Sequence, residues 1–233
     1  MLNFELSKVG EYWRIFAAGF NLKRHAGPIN SFEKVEDFVI TRSAFIAQKT
    51  LYGYVKTRMG TRYTDMFKDD QMIHSVNIAK MHFFDACLSD LTVWAVATAY
   101  ARTAPEDSAL AAMAIRIFDQ GIERNPDASV TEFSPTDARA AFYRRVQFAD
   151  WHGIAATRDN FIESPARVIR WAPIAENLKR MDAEYVENSV KFAWADVRRS
   201  FTKRLDAAAL AQEPGTPGPD GHTMTGTPRQ AGA

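Results

Sequence analysis

The sequence is poor in cysteine, with Cys87 as the single thiol among 233 residues. One thiol cannot form a disulfide within the chain, and structural disulfides are typical of oxidising compartments. The opening residues MLNFELSKVGEYW also lack the basic stretch followed by an apolar stretch that marks a secretory signal. The sequence therefore predicts a cytoplasmic protein that depends on a packed core rather than on covalent cross-links.

Long apolar runs and a strong charge of one sign are missing as well. The nearest approach to a membrane span, HFFDACLSDLTVWAVATAYA, is interrupted by Asp85 and Asp90, whereas a transmembrane helix needs about 20 predominantly apolar residues. The formal net charge is +1, so any basic patch must be balanced by acid elsewhere on the surface. We therefore expect no transmembrane segment and no specific nucleic-acid partner.

The sequence also lacks the common catalytic and cofactor motifs. It contains no Gly-x-Ser-x-Gly elbow, Walker loop, dinucleotide fingerprint, His-Glu-x-x-His or Cys-x-x-Cys. The cluster of Asp65, Asp69 and Asp70 is similar to one half of a magnesium–diphosphate site, but acids ahead of a helix also stabilise its N-terminus through the helix dipole. We predict no catalytic residue, no metal site and no cofactor.

What the sequence does contain is helical periodicity in almost every long segment, with no alternating run that would predict a strand. We expect an all-α fold, a single helical bundle of about six helices in residues 1–211, followed by a disordered Gly/Pro-rich tail in residues 212–233. Asn30 is the predicted cap of the first long helix, and Ser134 and Ser164, each followed by proline, are predicted to start two later ones. The predicted helices span residues 8–23, 30–59, 70–101 and 105–124, two segments that begin at 134 and 164, and a last one over 173–209.

The segment FVITRSAFIAQKTLYGYVK, residues 38–56, interleaves a column of rings with a column of cations. The two columns alternate as Phe38, Arg42, Phe45, Lys49, Tyr52 and Lys56. At about 100° per residue, both columns lie on one flank of a helix. Each cation follows a ring by four residues, so its stem can lie across that ring. This arrangement has two interpretations, an internal ladder of ion pairs or an anion-binding site.

The first interpretation rests on an antiparallel hairpin of the helices over 30–59 and 70–101. Facing residues in such a hairpin have numbers that sum to about 129, because the connector spans about ten residues. Arg42 then lies level with Asp85 and Asp90, and a carboxylate on an apolar face needs a partner. We predict a structural ion pair between Arg42 and Asp90, or failing that Asp85.

The second interpretation is a binding site formed by Arg42, Lys49, Tyr52 and Lys56 for a phosphate, a lipid head group or an acidic partner helix. Lys49 discriminates between the two interpretations, because the hairpin gives it no carboxylate. The last helix adds a basic end that could dock on an acidic partner or a membrane surface. Its cations are Arg198, Arg199, Lys203 and Arg204.

Two further segments carry a resemblance to known proteins. TLYGYVKTRMGTRYTDMF and SPARVIRWAPIAENLKRMDAEYVENSVKFAW resemble uncharacterised helical proteins of alphaproteobacterial type, some of which carry an automatic esterase label. The resemblance covers most of residues 30–205. It implies a helical fold and, through that label, a hydrolase, but it assigns no functional residue.

We therefore predict a non-enzymatic interaction, adaptor or assembly protein, with a protein partner or a second copy of the chain. The alternative is a helical small-molecule or lipid-binding protein with an anion site near Arg42 and Lys49, and a hydrolase comes third. An enclosed pocket at Lys49 would favour ligand binding, whereas an exposed apolar patch would favour a protein partner.

Overall fold

The computed structural model describes residues 27–157 and 160–213. The helix predicted over residues 8–23 and residues 214–233 of the predicted tail lie outside these ranges. In the described part of the chain, eight α-helices and one 3-10 helix account for the regular structure, and the β-type pairing is limited to one bridge between Ile29 and Leu205. The all-α prediction is confirmed, although the α-helices outnumber the expected six.

The additional elements are short: a 3-10 helix in the predicted connector, one helix between those predicted to begin at residues 134 and 164, and one at the end of the predicted last helix. In chain order the elements are α1 (Phe32–Met59), a 3-10 helix (Gly60–Lys68), α2 (Asp70–Tyr100), α3 (Asp107–Arg124), α4 (Pro135–Gln147), α5 (Trp151–Ala156), α6 (Glu163–Trp171), α7 (Glu176–Arg204) and α8 (Ala207–Ala211). The predicted last helix is divided at its C-terminal end into α7 and the short α8.

Helix starts follow local capping chemistry, with two corrections. Asp69 caps α2, and Ser134 caps α4 as predicted. Ser31 rather than Asn30 caps α1, because its hydroxyl accepts a hydrogen bond from a backbone N–H of the first turn. Ser164 lies inside α6 and does not cap it, since its hydroxyl is engaged by a carboxylate of another helix.

α1 and α2 pack as the antiparallel hairpin that the connector predicted. The hydroxyl of the fully buried Ser43 donates to the carbonyl oxygen of Cys87 at 3.2 Å, a pair whose numbers sum to 130. The second half of α2 is buried on nearly all sides, because it also contacts α3, α5, α6 and α8. α2 is therefore the central helix of the bundle.

α7 lies along α1 in the opposite direction. The rings of Phe38 and Phe201 meet edge to face with centroids 5.1 Å apart near one end. Toward the other end, the hydroxyl of Tyr54 donates to the Asp182 carboxylate at 2.9 Å. Contacts at both ends fix the level of α7 against α1 and place its C-terminal turn beside Phe38.

Asp90 joins four helices at the centre of the protein. Its fully buried carboxylate accepts hydrogen bonds from Arg145 Nη1 of α4 at 2.9 Å and from the Ser164 backbone N–H and hydroxyl of α6, both at 2.8 Å. The backbone N–H of Glu163 donates to the same carboxylate at 3.2 Å. Ser164 Oγ in turn accepts from Trp194 Nε1 of α7 at 2.9 Å. A carboxylate of α2 thus caps α6 and holds α4 and α7 in place.

The predicted pairing of Arg42 is corrected by this arrangement. Asp90 pairs with Arg145, and among the residues that the structure describes no carboxylate, including that of Asp85, lies within 4.0 Å of a charged Arg42 nitrogen. The predicted level was right, as the bond from Ser43 to α2 shows. The direction of the Arg42 side chain was predicted wrongly. Ser43 faces α2, and Arg42, one residue earlier, lies about 100° away from it around the helix.

The corrected pairing predicts which residue is coupled to Asp90. Arg145→Met alone should cost about 3–5 kcal/mol, because it leaves the buried charge of Asp90 without its cation. Asp90→Leu should cost a similar amount, because it removes both this pair and the acceptor at the start of α6, although Arg145 keeps Glu163 at 3.2 Å. The double variant should be more stable than the two costs added together, with a coupling energy of about 1–3 kcal/mol. Urea unfolding of the four proteins in the cycle measures this coupling.

The matched control is the cycle of Asp90→Leu with Arg42→Met. These two changes should add within about 0.5 kcal/mol, as expected for residues without contact. Coupling of Asp90 to Arg42, with additivity toward Arg145, would contradict the arrangement.

Candidate functional site

α7 carries two apolar faces. The inner face packs into the core, and its buried residues are Val186, Val190, Trp194, Val197 and Phe201. On the opposite side, Met181, Tyr185 and Phe192 are 77%, 77% and 76% exposed. We call these three residues the outer stripe.

The three residues of the outer stripe share one line along α7, with the polar Asn188 between Tyr185 and Phe192. Met181, Tyr185 and Phe192 are spaced by four and seven positions, so they fall within about 40° of one another on the helix surface. Isolated exposed apolar residues are normal on protein surfaces, whereas three large ones on a single line of one helix are unusual. The sequence predictions missed this row, although an apolar period on both sides of α7 was the available signal.

A groove runs along one flank of α7, where the start of α6 lies beside it. Its volume is about 400 Å³, and its floor contains the rings of Phe161 and Trp194, stacked at 4.7 Å. Ile162, on the rim, is 68% exposed. Lys191 and Glu187 also line the groove. The groove is therefore a second surface with apolar side chains, and these two charged residues belong to its lining.

Charge is unevenly distributed along α7. Residues 176–189 include four acidic and two basic side chains, whereas residues 190–204 include one acidic and five basic ones. Glu184 and Lys191 are both exposed, and both lie on the same flank of the outer stripe, since they are seven residues apart. Within residues 27–157 and 160–213, neither takes part in an ion pair.

The predicted cation column does not converge on one site. Arg42 is half-buried with its guanidinium carbon 5.4 Å from the centroid of the Phe38 ring, as the four-residue spacing predicted. Lys49 follows the same rule, because its Nζ lies 5.7 Å from the Phe45 centroid, but Lys49 is exposed to solvent. The two cations therefore occupy different environments despite their common flank.

The remaining two residues of the predicted binding site also separate. Lys56 is exposed and lies over Tyr63 at 5.5 Å, not over Tyr52. The Tyr52 side chain is buried in the core. Lys49 lines neither of two cavities found on the described surface, the α7 groove and a smaller one beside Lys80 and Asp127. The described surface thus carries exposed apolar side chains on α7, and Lys49 lies in solvent outside both of these cavities.

A row of titratable side chains lies buried between α2 and α6. The His82 ring stacks on the Trp171 ring at 3.6 Å and 7°, and burial lowers the pKa of His82. One turn further along α2, the pKa of the Asp85 carboxyl is raised to about 7, mainly by burial; the charge of Arg167 opposes this rise and those of Glu163 and Asp90 add to it. This row is a feature of the core.

The basic end of α7 is partly occupied by contacts within the chain. Arg199 Nη1 pairs with Asp196 at 3.0 Å, and the guanidinium carbon of Arg198 lies 5.1 Å from the Phe161 centroid. Arg204 lies over Phe38 at 5.4 Å. These three arginines therefore contact different partners and do not converge on one point.

The described part of the chain shows neither a metal-binding cluster nor a serine–histidine pair. No group of three or more His, Cys, Asp and Glu side chains there is arranged to hold a metal ion, and no serine hydroxyl there is hydrogen-bonded to a histidine. Asp69 of the acidic cluster caps α2, accepting from the backbone N–H groups of Gln71 and Met72. None of the helices in these ranges combines the length and apolar character required to cross a bilayer.

Comparison with known proteins gives no assignment for this arrangement. No family model, no curated protein and no solved structure matches the chain. The resemblance to helical proteins of alphaproteobacterial type, and the hydrolase that it implies, stay predictions.

The buried Asp85 carboxyl predicts a pH dependence of stability. Its pKa in the folded protein, about 7, lies above the ordinary value of 3.8. Folding therefore favours the protonated form, and the free energy of unfolding falls as the pH rises from about 4 to above 7. Asp85→Asn, which resembles the protonated acid, should remove this loss and stabilise the protein at pH 8 by on the order of 3 kcal/mol.

Urea unfolding of the wild type and of Asp85→Asn at pH 4.5 and pH 8 measures the effect. The difference between the two proteins should be small at the lower pH and should grow at the higher one. An equal difference at both values would show that Asp85 does not titrate in this range.

Proposed function

We propose that this chain is a non-enzymatic assembly protein that pairs with a second copy of itself through the outer stripe of α7. The observation that carries the proposal is the row of Met181, Tyr185 and Phe192, each about three-quarters exposed on the side of α7 opposite the core. Exposing this much apolar surface in one row is unfavourable in water, and covering it is the main driving force for association.

The spacing of the outer stripe suits an antiparallel pair of α7 helices. Placing Met181 opposite Phe192 of the second copy also places Tyr185 opposite Asn188, because both pairs are centred on the same point of the helix. Asn188 is exposed and lies in line with the stripe. A two-fold axis at that point repeats every contact twice, as expected for a self-complementary interface.

Charge favours the same orientation. The antiparallel arrangement lays the acidic half of one α7 against the basic half of the other and also opposes the two helix dipoles. On one flank, Glu184 comes within two helical positions of Lys191 of the second copy, so long side chains can pair across the interface. A parallel arrangement would place like charges together.

The size of the outer stripe limits the strength of this association. Stable interfaces bury about 1,200–2,000 Å² in total, and three apolar side chains with their flanks supply the lower part of that range. We therefore expect a dissociation constant on the order of micromolar and an equilibrium between monomer and dimer.

Phe192→Glu should weaken the dimer about tenfold or more, because it places a charge against Met181 of the other copy at both ends of the interface. Sedimentation equilibrium across a concentration series measures the dissociation constant. The matched control is Phe148→Glu. Phe148 directly follows α4 and is not part of α7, and it is 84% exposed. A monomeric wild type at all concentrations, or equal effects of the two variants, would contradict the proposal.

The orientation is tested separately by a charge swap. Glu184→Lys should weaken the dimer, because the new cation faces Lys191 of the second copy, and Lys191→Glu should weaken it likewise. The double variant restores opposite charges and should recover most of the wild-type dissociation constant. A double variant as weak as the sum of the single ones would exclude the antiparallel pairing while leaving the stripe itself in place.

A further inference from the structure

Two arginines from different helices share one aromatic ring. The guanidinium carbons of Arg42 in α1 and of Arg204, the last residue of α7, both lie 5.4 Å from the centroid of the buried Phe38 ring. The two cations therefore cannot lie further apart than twice that distance. Arg204 replaces Lys49 and Lys56 as the companion of Arg42, which the sequence did not indicate because the two residues are distant in the chain.

Neither guanidinium has a counter-charge among the residues that the structure describes. Arg42 makes no hydrogen bond and no ion pair there, and Arg204 donates only from Nε, to the carbonyl oxygen of Gly27 at 2.9 Å. Acids that are close in the chain are engaged elsewhere. Asp37 pairs with Arg124 at 2.8 Å, and the Asp206 carboxylate accepts from the first turn of α8.

The backbone of Arg204 is held in place before any ligand arrives. The backbone beside Arg204 is tied to the segment before α1, since Ile29 N donates to Arg204 O at 2.8 Å and Asp206 N donates to Ile29 O at 2.9 Å. Burial lowers the pKa of both guanidinium groups, and the charge of Arg204 lowers that of Arg42 further. Two partly desolvated like charges thus lie near each other.

We propose that Arg42 and Arg204 form a binding site for a phosphate group. A tetrahedral phosphate offers several acceptor oxygens, and guanidinium groups bind such oxyanions through paired N–H donors. An anion that contacts both cations replaces their mutual repulsion with two attractions. The ring of Phe38 excludes water from one side, which strengthens both. This site is on the inner side of α7, so it is independent of the outer stripe.

Inorganic phosphate is the probe. In the full-length protein, calorimetric titration at constant ionic strength, balanced with sodium chloride, should show one saturable site. At a phosphate concentration ten times the dissociation constant, the melting temperature should rise by about 3 °C or more. Arg42→Met and Arg204→Met should each weaken phosphate binding at least tenfold and abolish this rise.

Lys49→Met is the matched control. Lys49 lies one heptad along α1 from Arg42 and over the Phe45 ring, but it is exposed, and no arginine that the structure describes shares that ring with it. It should bind phosphate as the wild type does, and retained binding also shows that removing a cation from α1 is not itself the cause of the loss. Binding that is absent in the wild type would overturn the proposal. Binding weakened equally by Lys49→Met and Arg42→Met would also overturn it, since that result indicates general attraction to a basic surface.

Discussion

The buried carboxylate of Asp90 is the interaction on which the helix arrangement depends. α6 begins without a capping side chain of its own, because Ile162 occupies the cap position. Asp90 of α2 supplies the missing acceptor to the backbone at the start of α6, while Arg145 of α4 neutralises its charge. A buried acid in this position is costly unless it is fully bonded, so the three helices are stable together only in one relative arrangement.

The rotation of α7 about its own axis follows from the same cluster. Ser164 accepts from Trp194, which lies in the middle of the inner face of α7. The polar bond fixes the rotation of α7 about its own axis, because the indole N–H must reach the hydroxyl inside the core. Tyr185 and Phe192 are then left on the outside. The proposed assembly surface is in this sense a consequence of a buried hydrogen bond on the opposite side of the helix.

The cations of α1 illustrate how the same side-chain type takes different roles along one helix. Arg42 is drawn over Phe38 and toward the end of α7, whereas Lys49, at the equivalent place one heptad later, remains in solvent. The difference comes from what packs beside each position. α7 lies along α1 and brings Phe201 and Arg204 to Phe38. The Phe38 end of the column therefore combines two packed aromatic rings with two arginine side chains.

The sequence by itself determined the helical class, the hairpin of α1 and α2 with its level, and the cap at Ser134, because these depend on period, turn length and local hydrogen bonds. It also determined that Arg42 and Lys49 lie over rings four residues earlier. Only the tertiary structure decided three features: that Asp90 pairs with Arg145, that Arg204 lies over the same ring as Arg42, and that the outer stripe is exposed. Each depends on how far a helix is rotated about its axis, and that rotation is set by contacts between residues distant in the chain, such as Asp90 with Arg145 and Phe38 with Arg204.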